Sequence, residues 1–399
     1  MPALPRFWPV LLGLLLCLSL CAVLIYHPAA RPAPAPLKPP RLVLAPMPPP
    51  LPASLRWREG WTVGSAALTP NGASVIGGWY SPGVSTANQP EAAYLSGVAA
   101  PVYLWDAATG KLQQTFTGPP EVVIALAVSS DSRYLAGSGG LAKPQLMVWE
   151  LATGRLLWSH PEYASSLSFS PDGQVLAASD SLWDAQTGRL RRHLDHVGVL
   201  SVFSPDGNLL VTTDGTRTSR RRTPAELAAV PPGRIVGYRA IGLHAQIRDA
   251  RTGKLRRTLP FDLTQDAAFS PGSQRLYCLN TIADTPTSLD GSTVRCVDIK
   301  TGAVLWTWAE RTPISGAPPD WNISSIACSL NGRWLACVSI SGAVYVLDAK
   351  TGRFLKTLAI GSGGGGLSTS GGAVFSADSR LLVSRGRNTV QVWDTSSLP

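Results

Sequence analysis

Trp105-Asp106-Ala107-Ala108-Thr109-Gly110 and Trp183-Asp184-Ala185-Gln186-Thr187-Gly188 are two copies of one phrase. A strand ends in an acidic residue, a Thr-Gly turn follows, and a second strand begins. The acidic position recurs at Asp106, Glu150, Asp184, Asp249, Asp298, Asp348 and Asp394. Six copies continue into Gly110, Gly154, Gly188, Gly253, Gly302 and Gly352, and the seventh runs into Thr395-Ser396. The carboxylate can accept backbone N–H groups of the turn, and glycine takes its left-handed position.

A second phrase alternates with the first. Its clearest copies are Phe169-Ser170-Pro171-Asp172-Gly173 and Phe203-Ser204-Pro205-Asp206-Gly207, and weaker ones start at Thr69, Ser129, Ser270, Ser329 and Ser376. Proline presets φ, Asp bonds its own backbone and Gly accepts φ > 0, so an apolar run on either side reads as a hairpin. Each repeat then supplies four strands, a to d. The Ser-Pro-Asp-Gly turn joins a to b and the Thr-Gly turn joins c to d. A period of about 40–50 residues of all-β character predicts a β-propeller. Both phrases occur seven times, so the expectation is seven four-stranded blades.

These phrases, alternating in order from about residue 53 to 399, resemble WD40 repeats of the kind common in bacterial proteins. The resemblance implies an interaction scaffold. The chain departs from the pattern in several places. Trp is kept only at Trp105, Trp149, Trp183 and Trp393, and Arg248, Val297 and Leu347 stand elsewhere. The opening Gly-His pair is missing, and the Asp of the b–c turn is clear only at Asp214. Two copies, ending in Leu157-Trp158 and Leu305-Trp306, look like quinoprotein-type propeller repeats instead.

The last c-strand, Thr389 to Trp393, has no d-strand after it. The segment Ser54-Leu55-Arg56-Trp57-Arg58 precedes the first a-strand and is expected to supply it, closing the ring and removing two exposed edges. The organisation read from the chain is a short tail (1–6), an apolar anchor (7–26), a Pro-rich linker (27–52) and the propeller (53–399).

Phe7 to Tyr26 is a 20-residue run without charge, and about 20 residues span a hydrocarbon core of roughly 30 Å. A cleavable signal peptide, which would give a secreted protein, is the rival reading. Its apolar region runs about 7–15 residues and ends at a small-x-small site. His27-Pro28-Ala29-Ala30 is a poor site, which favours an uncleaved single-pass anchor in the bilayer. Arg31, Lys38 and Arg41 on the trailing flank favour the propeller inside. The short leading tail with its single Arg6 favours it outside the cytoplasm, and that is the orientation expected. Eleven prolines between Pro28 and Pro52 favour an extended polyproline spacer.

The formal net charge is +10. Much of it is local: Thr216 to Ala245 holds Arg217, Arg220, Arg221, Arg222, Arg234 and Arg239 against Glu226. Such a loop can attract an anionic surface or an acidic protein, or can be a solvated loop. No nucleic-acid-binding motif accompanies it. Cys278, Cys296, Cys328 and Cys337 fall on strands and read as core thiols. Disulfides Cys278–Cys296 or Cys328–Cys337 are the alternative in an oxidising compartment. No Cys or His spacing points to a metal.

No cofactor motif or catalytic set is apparent. Of five histidines (His27, His160, His193, His196 and His244), His193 and His196 lack an accompanying cluster of acids or cysteines, and no Gly-x-Ser-x-Gly elbow occurs. The expectation is a non-enzymatic, membrane-tethered scaffold for an unnamed protein partner. The alternative is a quinoprotein-like or hydrolytic propeller with a ligand in its channel. Strand alternation puts the repeated turns on one face. Five insertions fall on the other: Tyr80 to Ala100, Thr216 to Ala245, Thr281 to Ser292, Arg311 to Trp321 and Gly361 to Gly372. Long loops on a rigid scaffold are where binding usually resides.

Overall fold

The computed structural model describes residues 41–44, 62–80, 99–140, 143–195, 197–214, 218–221, 238–241, 243–263, 266–280, 292–309, 323–339, 342–359, 372–385 and 390–398. By its contacts the chain divides into residues 1–37 and 38–399, and every described residue belongs to the second unit. The anchor and tail expected in residues 1–26 lie outside the described residues. Among those described, no helix is long and apolar enough to cross a membrane.

Seven four-stranded antiparallel sheets form the ring. The first blade is Thr62–Leu68, Ser74–Tyr80, Ala99–Asp106 and Leu112–Pro120. The second is Val123–Val128, Tyr134–Gly139, Gln145–Glu150 and Leu156–His160, and the third is Leu167–Phe169, Val175–Ala178, Ser181–Asp184 and Leu190–His193. The fourth is Val197–Phe203, Leu209–Asp214, His244–Asp249 and Leu255–Asp262. The fifth is Asp266–Phe269, Arg275–Asn280, Thr293–Asp298 and Val304–Ala309, and the sixth is Ile323–Cys328, Trp334–Ser339, Val344–Asp348 and Phe354–Ala359. The seventh takes Ala373–Phe375, Leu381–Arg385 and Val390–Asp394 from the end of the chain. Each a-strand packs on the a-strand of the next blade, and the seventh packs on the first.

The closing strand is not the one expected. Leu42–Leu44 pairs with Val390–Asp394, in the register Leu42↔Val392, Val43↔Gln391 and Leu44↔Val390. The ring is thus tied by the N-terminal part of the chain, but from within the Pro-rich stretch rather than from residues 54–58, which lie outside the described residues. Pro40 and Pro46 flank this apolar triplet. Proline cannot donate to a ladder and is confined to strand edges and ends. Asp394 leads into a 3-10 turn, Thr395–Ser397, whose Ser396 N–H it caps, so the outer position is open to Leu42–Leu44.

The core is divided among seven apolar clusters, each shared by two adjacent blades. Phe116 of the first blade meets Trp149 of the second at 6.0 Å between ring centres, and Tyr103, Trp105 and Trp79 pack with Val390 and Val392 across the seam. Each fully buried large side chain contributes about 1.5–3 kcal/mol of transfer free energy, and no blade can bury its faces alone.

Cys278, Cys296, Cys328 and Cys337 are free thiols. Cys278 stands opposite Arg295, and Cys296 opposite Tyr277. Side chains alternate across a strand, so Cys278 and Cys296 enter different inter-blade clusters and cannot bridge. Cys328 pairs with Leu335 and Cys337 with Ile326, two positions out of register with one another. Burial pushes Cys296 up to about 11 and Cys328 up to about 12, as expected of core thiols.

Candidate functional site

The two faces of the ring are built differently. All seven a–b turns and all six c–d turns contain five residues between their strands. In the c–d turns one carboxylate oxygen accepts from both the backbone N–H and the hydroxyl of the following Thr. Asp106 does so at 2.8 and 2.8 Å, Asp184 at 2.9 and 2.8 Å, Asp298 at 2.7 and 2.7 Å and Asp348 at 2.7 and 2.7 Å. Asp249 does the same with Thr252, whereas Glu150, one methylene longer, reaches the Thr153 hydroxyl. Arg191 and this Thr hold Asp184 down at about 2, and Arg256 holds Asp249 well below the usual carboxylate range. The acids of the repeated phrase are thus committed to their own turns.

The opposite face carries the exceptions. The connections 81–98, 281–291, 310–322 and 360–371 lie outside the described residues, but the strands that flank them fix the face on which each begins and ends. The connection in the fourth blade is partly described. Thr218–Arg221 pairs with Tyr238–Ile241 as a two-stranded ribbon, with Arg220 opposite Arg239 and Arg221 opposite Tyr238. Arg217, Arg222 and Arg234 lie outside the described residues. The described part of the basic segment is therefore a two-stranded antiparallel ribbon. At its neck, His244 donates its backbone N–H to one Asp214 oxygen, and its Nδ1 lies 3.2 Å from the other.

The central strands carry little chemistry. Among the described residues of the seven a-strands, Asp266 is the single carboxylate. Its Oδ2 accepts from Ser325 Oγ at 2.8 Å and from the Ile326 N–H at 3.0 Å in the next blade, and Oδ1 accepts from the Ala267 N–H at 2.8 Å. Burial nevertheless raises it to about 6. Ser65 accepts the Leu126 N–H, and Ser166 the Ser201 N–H, from the corresponding position of their blades. Asp266 therefore belongs to an inter-blade bond that recurs around the ring.

His193, besides His244, also sits near acids that are distant from it in sequence, Asp180 and Glu162. His193 Nδ1 lies 3.0 Å from Ser181 Oγ, which donates to Asp180 at 2.9 Å. Burial and the Asp180 charge raise Glu162, which faces the same group. The hydroxyl stands between acid and imidazole, whereas a nucleophilic triad needs the imidazole between acid and hydroxyl. Ser181 is also only 1 % exposed. Among the described residues no group of three or more His, Cys, Asp or Glu side chains could hold a metal.

Adjacent blades are locked by the third residue of strand d. Trp158 lies over Gly188 in the next blade's Thr-Gly turn, and Trp306 lies over Gly352. A Cβ at either glycine would fall 2.6 Å from the indole. Trp158 Nε1 also donates to the Ala185 carbonyl at 2.9 Å. Gln114, Arg192 and Arg257 occupy the same place against Gly154, Gly253 and Gly302. These two indoles are those of Leu157-Trp158 and Leu305-Trp306, the copies that look like quinoprotein-type repeats. Residues 54–231 and 290–397 match the family described as outer membrane protein assembly factor BamB. The chain belongs to that family. No curated protein matches it.

Membership in this family places the emphasis of the two resemblances on the quinoprotein-like one. The WD-position tryptophans are core residues with differing bonds. Trp393 Nε1 donates to Ser384 Oγ at 2.9 Å, whereas Trp183 Nε1 has no partner. Arg248 replaces Trp in the fourth blade and is 6 % exposed. Its guanidinium donates to Thr212 Oγ1, Gln246 Oε1 and the carbonyls of Asp195 and Gly253 at 2.6–3.2 Å. A polar clasp thus stands where four other blades use an indole. A cleft of about 700 Å³ opens at the ring seam on the turn face, lined by Arg41, Asn71, Asp106, Asp378, Arg380 and Asp394 among others.

Proposed function

We propose that the chain is a membrane-tethered propeller that holds a protein partner through its long b–c and d–a connections. The observation that carries this reading is the asymmetry of the ring. Thirteen turns of one length occupy one face, and every long connection starts and ends on the other. The ribbon places Arg220 directly opposite Arg239. The several Arg of this segment suit an acidic partner surface. The WD40-like turns support an interaction role, and the family description, an outer membrane protein assembly factor, supports both that role and an extracytoplasmic propeller. The apolar run Phe7 to Tyr26 supports the tether.

The alternative, a ligand held in the channel, needs ionisable side chains converging there. The one carboxylate described on the inner strands, Asp266, is engaged by three donors. The test is a pull-down from solubilised native membranes with Arg220→Glu, Arg221→Glu and Arg222→Glu combined. Loss of a partner that the unaltered chain recovers is expected, while the circular dichroism spectrum stays unchanged. Undiminished recovery of every partner would sink the role of the ribbon. Protease protection of intact cells then fixes the side of the membrane.

A further inference from the structure

The rim of the fourth, fifth and sixth blades holds bulky apolar side chains in solvent. Leu255, Val304 and Phe354 take the first position of strand d in three consecutive blades and are 49, 45 and 43 % exposed, and Leu305 beside them is 47 % exposed. That position follows directly on the Thr-Gly turn, so all four lie where the rim meets the turn face. The same segments, 249–257, 298–308 and 348–356, contain eight Lys and Arg against three acids. The acids are Asp249, Asp298 and Asp348, each bonded inward to its own turn. Arg251, Lys254, Lys300, Lys350 and Arg353 are exposed.

We propose that this rim seats on an anionic lipid surface, with Leu255, Val304, Leu305 and Phe354 in the headgroup region and the bases against lipid phosphates. Bulky apolar side chains interleaved with Lys and Arg are the composition that binds bilayer interfaces. An acidic protein surface would satisfy the bases and leave the apolar side chains without a use. Arg41, which leads into the closing strand, lines the seam cleft together with Asp106 and Asp378 of the turn face. The closing strand therefore begins on this same face. Such seating leaves the insertion face directed away from lipid.

The full chain is reconstituted into phosphatidylcholine vesicles with and without phosphatidylglycerol, carrying photoreactive benzoylphenylalanine in place of either Leu305 or Lys143. Lys143 is an exposed residue on the insertion side of the second blade. Any tether acts equally in both proteins, so lipid adducts at the two positions report the rim alone. The expected result is adducts at position 305 that depend on phosphatidylglycerol, with few at position 143. Lys254→Gln, Lys300→Gln and Lys350→Gln should each lower their yield about fivefold. Equal adducts in neutral vesicles, equal adducts at position 143, or no response to the Gln variants overturns the proposal. Adducts at position 305 that form only with protein, in native membranes, overturn it in favour of an acidic partner. Failure of the chain to float with neutral vesicles bears on the tether and not on the rim.

Discussion

Trp158 rests on Gly188 of the next blade, so close that a Cβ there would lie 2.6 Å from the indole. Gly188 also has φ +69°, where an L side chain is strained by about 1–2 kcal/mol. Gly188→Ala should therefore cost more than that strain alone, on the order of 2–3 kcal/mol, because the indole must move and its bond to the Ala185 carbonyl is disturbed. Denaturant melts are the measurement. Gln114, in the equivalent place, would also meet a Cβ at Gly154, but an amide at the end of a flexible side chain can swing aside where an indole cannot, so adding Trp158→Gln should recover part of the clash but none of the φ strain. A Gly188→Ala loss below about 1 kcal/mol would show that the indole does not lock this interface.

Arg248 gives a second test. Its guanidinium donates in four directions from a buried site. Lys presents one ammonium at the end of a flexible stem and cannot reproduce that fan. Arg248→Lys should cost about 2–4 kcal/mol, since buried acceptors lose their donors. The loss should appear as a lower denaturation midpoint with an unchanged denaturant slope. A Lys variant as stable as the unaltered chain would mean that water serves these acceptors equally well.

The blades were legible because their turns are local. Ser-Pro-Asp-Gly and Asp-x-x-Thr-Gly each code a five-residue turn through φ and one side-chain acceptor, and Asp184 with Thr187 and Gly188 behaves as read. The closing strand was not legible. Leu42-Val43-Leu44 is a three-residue run among prolines, and only the open edge beside Val390–Asp394 makes it a strand. The Asp266–Ile326 bond and the Ser181–His193 pair likewise depend on which strands meet in space. The Leu-Trp endings at Trp158 and Trp306 were visible, but the glycines of the following repeat on which the indoles rest were not.

Asp266 should leave a mark on the pH dependence of stability. Its carboxyl is raised to about 6 in the folded ring, against about 3.9 in an unfolded chain. The folded state therefore binds a proton more tightly than the unfolded one. Its stabilising contribution is fully present below about pH 4 and is lost as pH rises through 6. The difference is on the order of 2–3 kcal/mol. Turn acids such as Asp184 act in the opposite sense and at lower pH, so the comparison must be between variants. Asp266→Asn should gain stability relative to the unaltered chain between pH 4.5 and 7.5, measured by urea unfolding at each pH. Parallel curves would show that Asp266 titrates normally.

The seam offers the sharpest test of the topology. Leu42–Leu44 is the outer strand of the seventh blade and joins the two ends of the ring. Proline at Val43 removes a backbone N–H and locks φ at about −65°, well away from the extended value of an antiparallel strand, at the middle of a three-residue ladder. Val43→Pro should therefore lower the melting temperature by several degrees, the shift expected of about 1–2 kcal/mol in a chain of this size. Leu55→Pro, in the segment that sequence favoured for closure, should leave it unchanged. Amide exchange sharpens the comparison, because Val390 and Val392 on the c-strand should lose protection in the Val43 variant alone. If Leu55→Pro instead exposes those amides and Val43→Pro does not, the ring is closed by the other segment.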